Sequence, residues 1–431
     1  MNEYLLLLRK NQNYRFLWLG SVISQLGDWF NLIASAELIT EITNTGIAIS
    51  YLFLARFLPL FLFSPLAGVL ADRYNRRTIL IVSDLLRALT VLGFLLVRSQ
   101  QHVWLLYALT VLQFALSALF TPARSAVLAN VVAPDDLVTA NALDSFTWST
   151  MLALGAFLGG AVAAVFGRET AFVMDAATFL LSAWVISRVA VPVRQRGGLP
   201  DQGGWLDFID GFRYLWQEPF ILGISLVKGA GSLIWGAINV LEVTFADQVF
   251  PLQHPAIVRF VRAEDSGTAA LGLIYVVSGL GTGLGPLLLR RWLGEVPLRL
   301  MWGITAGFVL MASGILALSV APTFPLFLLG TLTRTVGTGT VWVFSAVLLQ
   351  MLIPDRFRGR VFAFEFTVLT LTQSISILGA GFFQDQFSWG VRQVSALFGF
   401  AGWVVGALWL IFFWRALPGV KSRRIWKPAN E

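Results

Sequence analysis

The chain has 431 residues, of which 57% are hydrophobic and 13% charged, and it carries a formal net charge of +7. A water-soluble globular chain holds about 25% charged residues, so this composition excludes an ordinary soluble domain and points to a bilayer. There is no cysteine, which excludes disulfides and thiolate chemistry. The two histidines, His102 and His254, have no ligand-like spacing, so neither a metal nor a cofactor is expected. No stretch alternates basic and aromatic residues as a nucleic-acid groove needs. The positive charge therefore reads as loops facing a membrane surface.

Apolar segments of about 20 residues can span a bilayer. In chain order they fall near 16–41, 46–71, 78–98, 102–130, 139–166, 169–190, 219–248, 268–289, 298–320, 324–352, 359–385 and 391–415. One set of connections is rich in Lys and Arg: Arg9, Lys10, Arg15; Arg73, Arg76, Arg77; Arg188, Arg194, Arg196, Arg213; Arg290, Arg291, Arg299; Arg356, Arg358, Arg360; and Lys421, Arg423, Arg424, Lys427. The alternate set holds only Arg98, Arg168, Arg259, Arg262 and Arg392. The rich side is expected to be cytoplasmic, with both termini on it.

The expected organisation is an all-α membrane protein. A six-helix bundle at 1–190 is followed by a linker at 191–218, a second bundle at 219–416 and a tail at 417–431. The linker contains Trp205, Phe208, Phe212, Leu215 and Trp216 on one helical face, the pattern of an interfacial helix. The halves look duplicated. Ser125-Ala126-Val127-Leu128 recurs as Ser345-Ala346-Val347-Leu348, Pro134-Asp135 as Pro354-Asp355, and Phe146-Thr147 as Phe366-Thr367, all at one offset.

Ionisable groups inside spans are costly and are functional candidates by default. Span 1 carries Ser21, Gln25, Asp28, Asn31 and Ser35 on one stripe. Counting 1.5 Å per residue, Asp28 lies about 18 Å up its helix, near the midplane, and Arg56 lies about 15 Å below the outer end of span 2. The two are expected to pair, with Asp28 as a proton carrier tuned by Arg56. Span 7 carries Lys228, Ser232, Trp235, Asn239 and Glu242 at helical spacing. Span 4 shows Gln113, Ser117, Thr121 and Arg124, and span 10 shows Thr331, Arg334, Thr335, Thr338 and Trp342. Trp29, Asn31, Gln113, Lys228, Trp235, Asn239, Glu242, Arg334 and Trp342 are the candidate cavity contacts, since aromatic and amide groups suit a large, partly apolar ligand. Glu365 is the second proton candidate and is expected to pair with Arg334. Asp84 and Arg87 are expected to pair with each other. Asp175 reads as snorkelling or capping near a span end, and Gly281 and Gly285 as packing against span 5.

Between spans 2 and 3 stands Gly68-Val-Leu-Ala-Asp72-Arg73-Tyr-Asn-Arg76-Arg77. It resembles the loop signature G-x-L-A-D-R-x-x-R-[RK] of the major facilitator superfamily. Ser24–Trp29 (SQLGDW), Leu54–Pro59 (LARFLP), Thr121–Arg124 (TPAR), Asn141–Asp144 (NALD) and Pro354–Arg360 (PDRFRGR) look like the bacterial branch that includes the enterobactin exporter, macrolide efflux pumps and the lysophospholipid transporter. Gly155–Gly160 is similar to that family's antiporter signature G-P-x-x-G-G, with Ala156 in place of the proline. The resemblance implies twelve transmembrane helices in two six-helix bundles related by a pseudo-twofold, with spans 1, 4, 7 and 10 lining a central cavity. It implies a monomeric, non-enzymatic secondary transporter of the bacterial inner membrane, exchanging protons for drugs or siderophores. Gly68, Asp72, Arg73, Arg76 and Arg77, with Arg124 and Asp144, would then form a cytoplasmic latch. A lipid flippase of the same fold and a non-transporting membrane sensor or scaffold are the rival readings.

Overall fold

The computed structural model describes residues 2–43, 45–133, 136–190, 212–251, 266–293 and 296–421. Most of the linker and tail, His254, Arg259, Arg262 and the Pro134-Asp135 pair lie outside them. So do the side chains of Asp72, Arg73, Arg290, Arg291, Arg356 and Arg358 within described helices.

The described residues are helical almost throughout. A short amphipathic helix α1 (Asn2–Lys10) leads into α2 (Gln12–Thr43), α3 (Gly46–Arg73) and α4 (Arg76–Leu92), the last ending in a 3-10 turn at Gly93–Leu96. Then come α5 (Val103–Val131), α6 (Leu137–Phe166) and α7 (Arg168–Ile186). The second half holds α8 (Pro219–Ser225), α9 (Val227–Thr244), a π turn at Phe245–Val249, α10 (Ser266–Leu293), α11 (Pro297–Val320), α12 (Phe324–Leu352), α13 (Asp355–Gln386) and α14 (Val391–Lys421).

Local chemistry sets the ends. At α4 the Asn75 side chain accepts from the Arg77 and Thr78 amides, satisfying two donors that a helix start leaves open. Gly167, at φ +84, turns the chain between α6 and α7 within one residue. Proline at the first helical turn begins α8, α11 and α12, where its missing N–H costs nothing.

Eleven helical stretches among the described residues are long and apolar enough to cross a bilayer. Helix α2 is a 32-residue helix covering the first expected span, but it is not one of the eleven. Ser21, Ser24, Gln25, Asp28, Asn31, Ser35, Glu37 and Glu41 dilute its apolar character.

The chain forms two compact units. One comprises Met1–Gly198 with Glu242–Val276, the other Leu199–Leu241 with Val277–Glu431. In the first unit α2 packs on α6 and α7, α3 on α5, and α4 on α5 and α7. In the second, α11 packs on α12 and α14, while α8 touches α12 and α13. The pairs α4·α5 and α4·α7 thus recur as α11·α12 and α11·α14, the pattern expected when two helix groups descend from one duplicated plan. Helices α11 and α12 approach closely. A Cβ on Gly314 would meet the Gly330 carbonyl oxygen at 2.7 Å, so the pair packs backbone to backbone only because both positions are glycine.

A buried apolar cluster closes one end of the first unit. Tyr14, Leu17, Leu80, Phe120, Val127 and Ile186 meet there from α2, α4, α5 and α7. Tyr14 donates its hydroxyl hydrogen to the Ala140 carbonyl at 3.0 Å, so even the polar tip is satisfied.

Glycines fix two further contacts. Gly155 and Gly159 of α6 face Trp29 of α2, and Gly160 faces Gly272 of α10. Gly281 and Gly285 do not pack on span 5 as expected: they lie against Thr335, Leu332 and Val336 of α12. On the 3.6-residue helical repeat, the residues nearer the start of α10 present a different face from those nearer its end.

Candidate functional site

In the first unit, four helices bring charge to one buried place. Asp28 of α2 receives Arg87 of α4, whose Nη2 lies 2.8 and 2.9 Å from the two carboxylate oxygens. Arg87 Nη1 also reaches Asp84 at 3.4 Å. Its guanidinium stacks over the Phe179 ring, 4.0 Å from the centroid, and the side chain is 2% exposed. Asp28, by contrast, is 27% exposed, so its carboxylate is the open end of the network. Ser182 of α7 donates to the second oxygen of Asp84 at 2.6 Å, and Gln113 of α5 approaches Asp28 at 3.5 Å. A guanidinium this deep persists only with such partners.

Arg56 meets Asp28 differently from expectation. Its Nη2 donates to the main-chain carbonyl of Asp28 at 3.4 Å and its Nη1 to Asn31 Oδ1 at 3.3 Å, while its guanidinium sits over Phe114 at 4.4 Å. The carboxylate of Asp28 belongs to Arg87. Depth along the helix does not choose between Arg56 and Arg87. Arg87 is eleven residues into α4, about 16 Å along it by the same rise, and so was an equal candidate. Only the rotation of α3 and α4 about their axes separates the two.

Asp175 was expected to reach a span end. It is instead fully buried on the face of α7 that packs against α2 and α4.

The second unit holds a separate ion pair. Lys228 Nζ lies 3.0 Å from Glu365 Oε2, with side chains 7% and 4% exposed. The same ammonium sits 4.7 Å from the centroid of Trp342, and Trp342 lies 6.1 Å from Trp235. Glu365 is thus held by Lys228 where Arg334 was expected; Arg334 reaches Ser278 Oγ at 3.4 Å. The contact follows from the fit of α9 on α13. Ser232 donates to the Leu369 carbonyl at 3.0 Å and Ser376 to the Leu233 carbonyl at 2.7 Å, fixing the register one turn above Lys228. Asn239 bonds its own helix at Gly236, 3.4 Å away. Glu242, the last member of the expected stripe, is buried and falls in the other compact unit.

Of the expected latch, Arg124 and Asp144 are together at 2.8 Å, and Arg124 also meets Ser21. Arg77 bonds the Ser187 carbonyl. Arg76 is part-buried at the start of α4, and Gly68 is helical in α3. Trp29 stacks at a tilt on Tyr275, with centroids 5.3 Å apart. Arg87 is the functional candidate that sequence reading undervalued. Its signal was a second acid, Asp84, three residues away on a span otherwise apolar.

The sequence profile described as Major Facilitator Superfamily matches residues 17–364. The chain is 26% identical to an uncharacterized MFS-type transporter, YfiS, of Bacillus subtilis, over 87% of each chain. It is 23% identical to macrolide efflux protein A of Streptococcus pyogenes, over 86% of this chain and 89% of that one. Among solved structures, a bacterial homologue of the human lysosomal transporter Spinster superposes with a TM-score of 0.72 at 14% identity, covering 97% of this chain and 99% of that one.

Proposed function

The chain belongs to the major facilitator superfamily, and on that premise we propose that it is a proton-coupled exporter of amphipathic small molecules working by alternating access. Its place in that family makes it a multi-pass membrane protein of the transport class. We count α2 as the twelfth span, because its polar stripe faces protein rather than lipid. The Lys- and Arg-rich loops set the cytoplasmic side, with both termini there. Similarity to a protein named for macrolide efflux supports export and a large, partly apolar cargo.

The observation that carries the reading is the Asp28–Arg87 contact. A partly exposed carboxylate halfway along a span holds a fully enclosed guanidinium. Protonating Asp28 removes the one of Arg87's two carboxylate partners that lies on another helix, so taking up a proton and releasing that contact are one event. Arg87 also grips α4 to α2 and stacks on α7, so its release loosens the packing of three helices. In the second unit Lys228 and Glu365 present a paired charge beside Trp235 and Trp342. That set offers an aromatic face and a carboxylate to a cationic amphipath. Arg124–Asp144, with Asp72, Arg73, Arg76 and Arg77, would latch the cytoplasmic end. The working unit is proposed to be a monomer.

The test is ethidium accumulation by inside-out vesicles, with and without an imposed proton gradient. Wild type should accumulate the dye only with the gradient, and Asp28→Asn should lose at least about tenfold of that accumulation, a typical coupling energy. Accumulation surviving in Asp28→Asn moves the proton site to Glu365. Wild-type transport indifferent to the gradient overturns proton coupling. Movement of a fluorescent lysophospholipid in place of ethidium favours the flippase.

A further inference from the structure

Among the described residues of the first unit, Asp175 is a buried acid that the proposed mechanism does not use. Asp175 has no exposed surface, and neither carboxyl oxygen has a hydrogen-bond partner. The nearby Thr178 hydroxyl gives its hydrogen to the main-chain carbonyl of Asp175, at 2.7 Å, and its oxygen lies beside the carboxyl, where it can accept from a protonated acid. The space exists because residue 27 is glycine: a Cβ there would collide with both the Asp175 carboxyl and the Thr178 hydroxyl.

The charged groups around it are Asp28 of α2, Arg56 of α3 and Arg87 of α4. Asp84 of α4 is held by Arg87 and Ser182. The turn at Gly93–Leu96 brings no titratable group, and the one on α6, Asp144, is paired with Arg124. Three carboxyls therefore share two guanidiniums. Arg87 divides its two terminal nitrogens between Asp28 and Asp84, and Arg56 gives its own to Asn31 and a main-chain carbonyl. Asp175 is left over. An ionised carboxylate with no partner in a dry interior is far more costly than a neutral acid in the same place.

We propose that Asp175 is a proton-binding site: in this arrangement it carries the proton, while Asp28 carries the charge that holds Arg87. The two acids then exchange one proton. When Asp28 takes it up, Asp175 has given it away and becomes the carboxylate, and Arg87 is the cation positioned to follow the charge. Its Nε is without a partner and is free to do so. The number of protons and the charge of Arg87 are unchanged across the step. This rests on the proton-linked reading above and deepens it, by making the carrier a pair of acids rather than one.

The test is infrared difference spectroscopy of the full chain in liposomes, in water and in deuterium oxide. Wild type should show the carbonyl stretch of a protonated carboxylic acid, shifted by deuteration. Asp175→Asn should abolish it, and Asp28→Asn, which imitates a protonated Asp28 and leaves Arg87 to hold Asp175 as the carboxylate, should lose it too. Thr178→Val, which removes the neighbouring hydroxyl, should move its frequency. Because an amide closely replaces a neutral acid, Asp175→Asn should melt within about 2 °C of wild type. In transport, ethidium counterflow should survive in Asp175→Asn while proton-driven accumulation falls about tenfold. A purely structural role would reduce both together. A band that persists in Asp175→Asn, or that is missing from wild type, overturns the assignment. So does a Thr178→Val band at the wild-type frequency, which serves as the decisive result if Asp175→Asn fails to fold. Gradient-indifferent wild-type transport is a different failure, that of proton coupling itself, and is read from the vesicles without the infrared band.

Discussion

Arg87 holds three helices by one planar group: two oxygens of Asp28 on α2, one of Asp84 on its own helix, and the ring of Phe179 on α7. A lysine has neither the fork nor the flat face to do this. Arg87→Lys should therefore lose proton-driven ethidium accumulation and lower the melting temperature, although charge is conserved. Lys228 and Glu365 make the complementary case. Removing one partner of a buried pair strands the other, at a cost of about 3–5 kcal/mol. Lys228→Ala should show that loss in thermal denaturation followed by tryptophan fluorescence, whereas Lys228→Met with Glu365→Gln should recover most of it, because no charge is left buried. Recovery of stability without recovery of transport would separate the pair's structural part from its part in handling cargo. That Asp28, Lys228 and Glu365 would need charged or polar partners was legible from their positions inside apolar spans. Which base each acid would choose was not, because Arg56 and Arg87 sit at similar depth and Arg334 and Lys228 were both within reach by spacing alone.

Helix ends fall where a residue's own chemistry satisfies the open backbone groups. The Asn75 cap on α4 satisfies two amides of the first turn, and Asn75→Ala should cost about 1 kcal/mol, read as a lower melting temperature with transport retained. Helix faces were less legible. Gly314 and Gly330 let α11 and α12 touch backbone to backbone, and Gly314→Leu should destabilise the second unit by about 3 kcal/mol or more, since overpacking alone costs 1–3. The sequence shows glycines in α10 but not their partner: Gly272 faces α6, whereas Gly281 and Gly285 face α12. One helix serves two neighbours along its length, and spacing within that helix cannot say where the change occurs.

Across the molecule, the absence of native cysteine makes orientation directly measurable. Tyr74, exposed between α3 and α4, and Ser99, exposed before α5, flank one span on opposite sides. An impermeant thiol reagent should label Tyr74→Cys in inside-out vesicles and Ser99→Cys in intact cells. The reverse pattern would invert the assignment of the cytoplasmic side and of the latch. The repeated pairing of α4 with α5 and α7, and of α11 with α12 and α14, makes the duplication structural as well as sequential. It also exposes a divergence. The first unit gathers its charge from α2, α3, α4 and α7, whereas the second concentrates its ion pair on α9 and α13.

The sequence alone determined that the chain is built of long apolar stretches, where most of them begin and end, which loops carry the positive charge, and which ionisable residues lie inside spans. These follow from one-dimensional quantities: the bilayer thickness fixes a span at about 20 residues, and a rise of 1.5 Å per residue converts position into depth. Only the tertiary structure decided which way each helix turns its residues. Rotation about a helix axis is set by packing against neighbours from distant parts of the chain, and depth carries no record of it. That rotation gave Arg87 rather than Arg56 to the Asp28 carboxylate, Lys228 rather than Arg334 to Glu365, and enclosed Asp175 between α2 and α4 where a span-end acid had been expected.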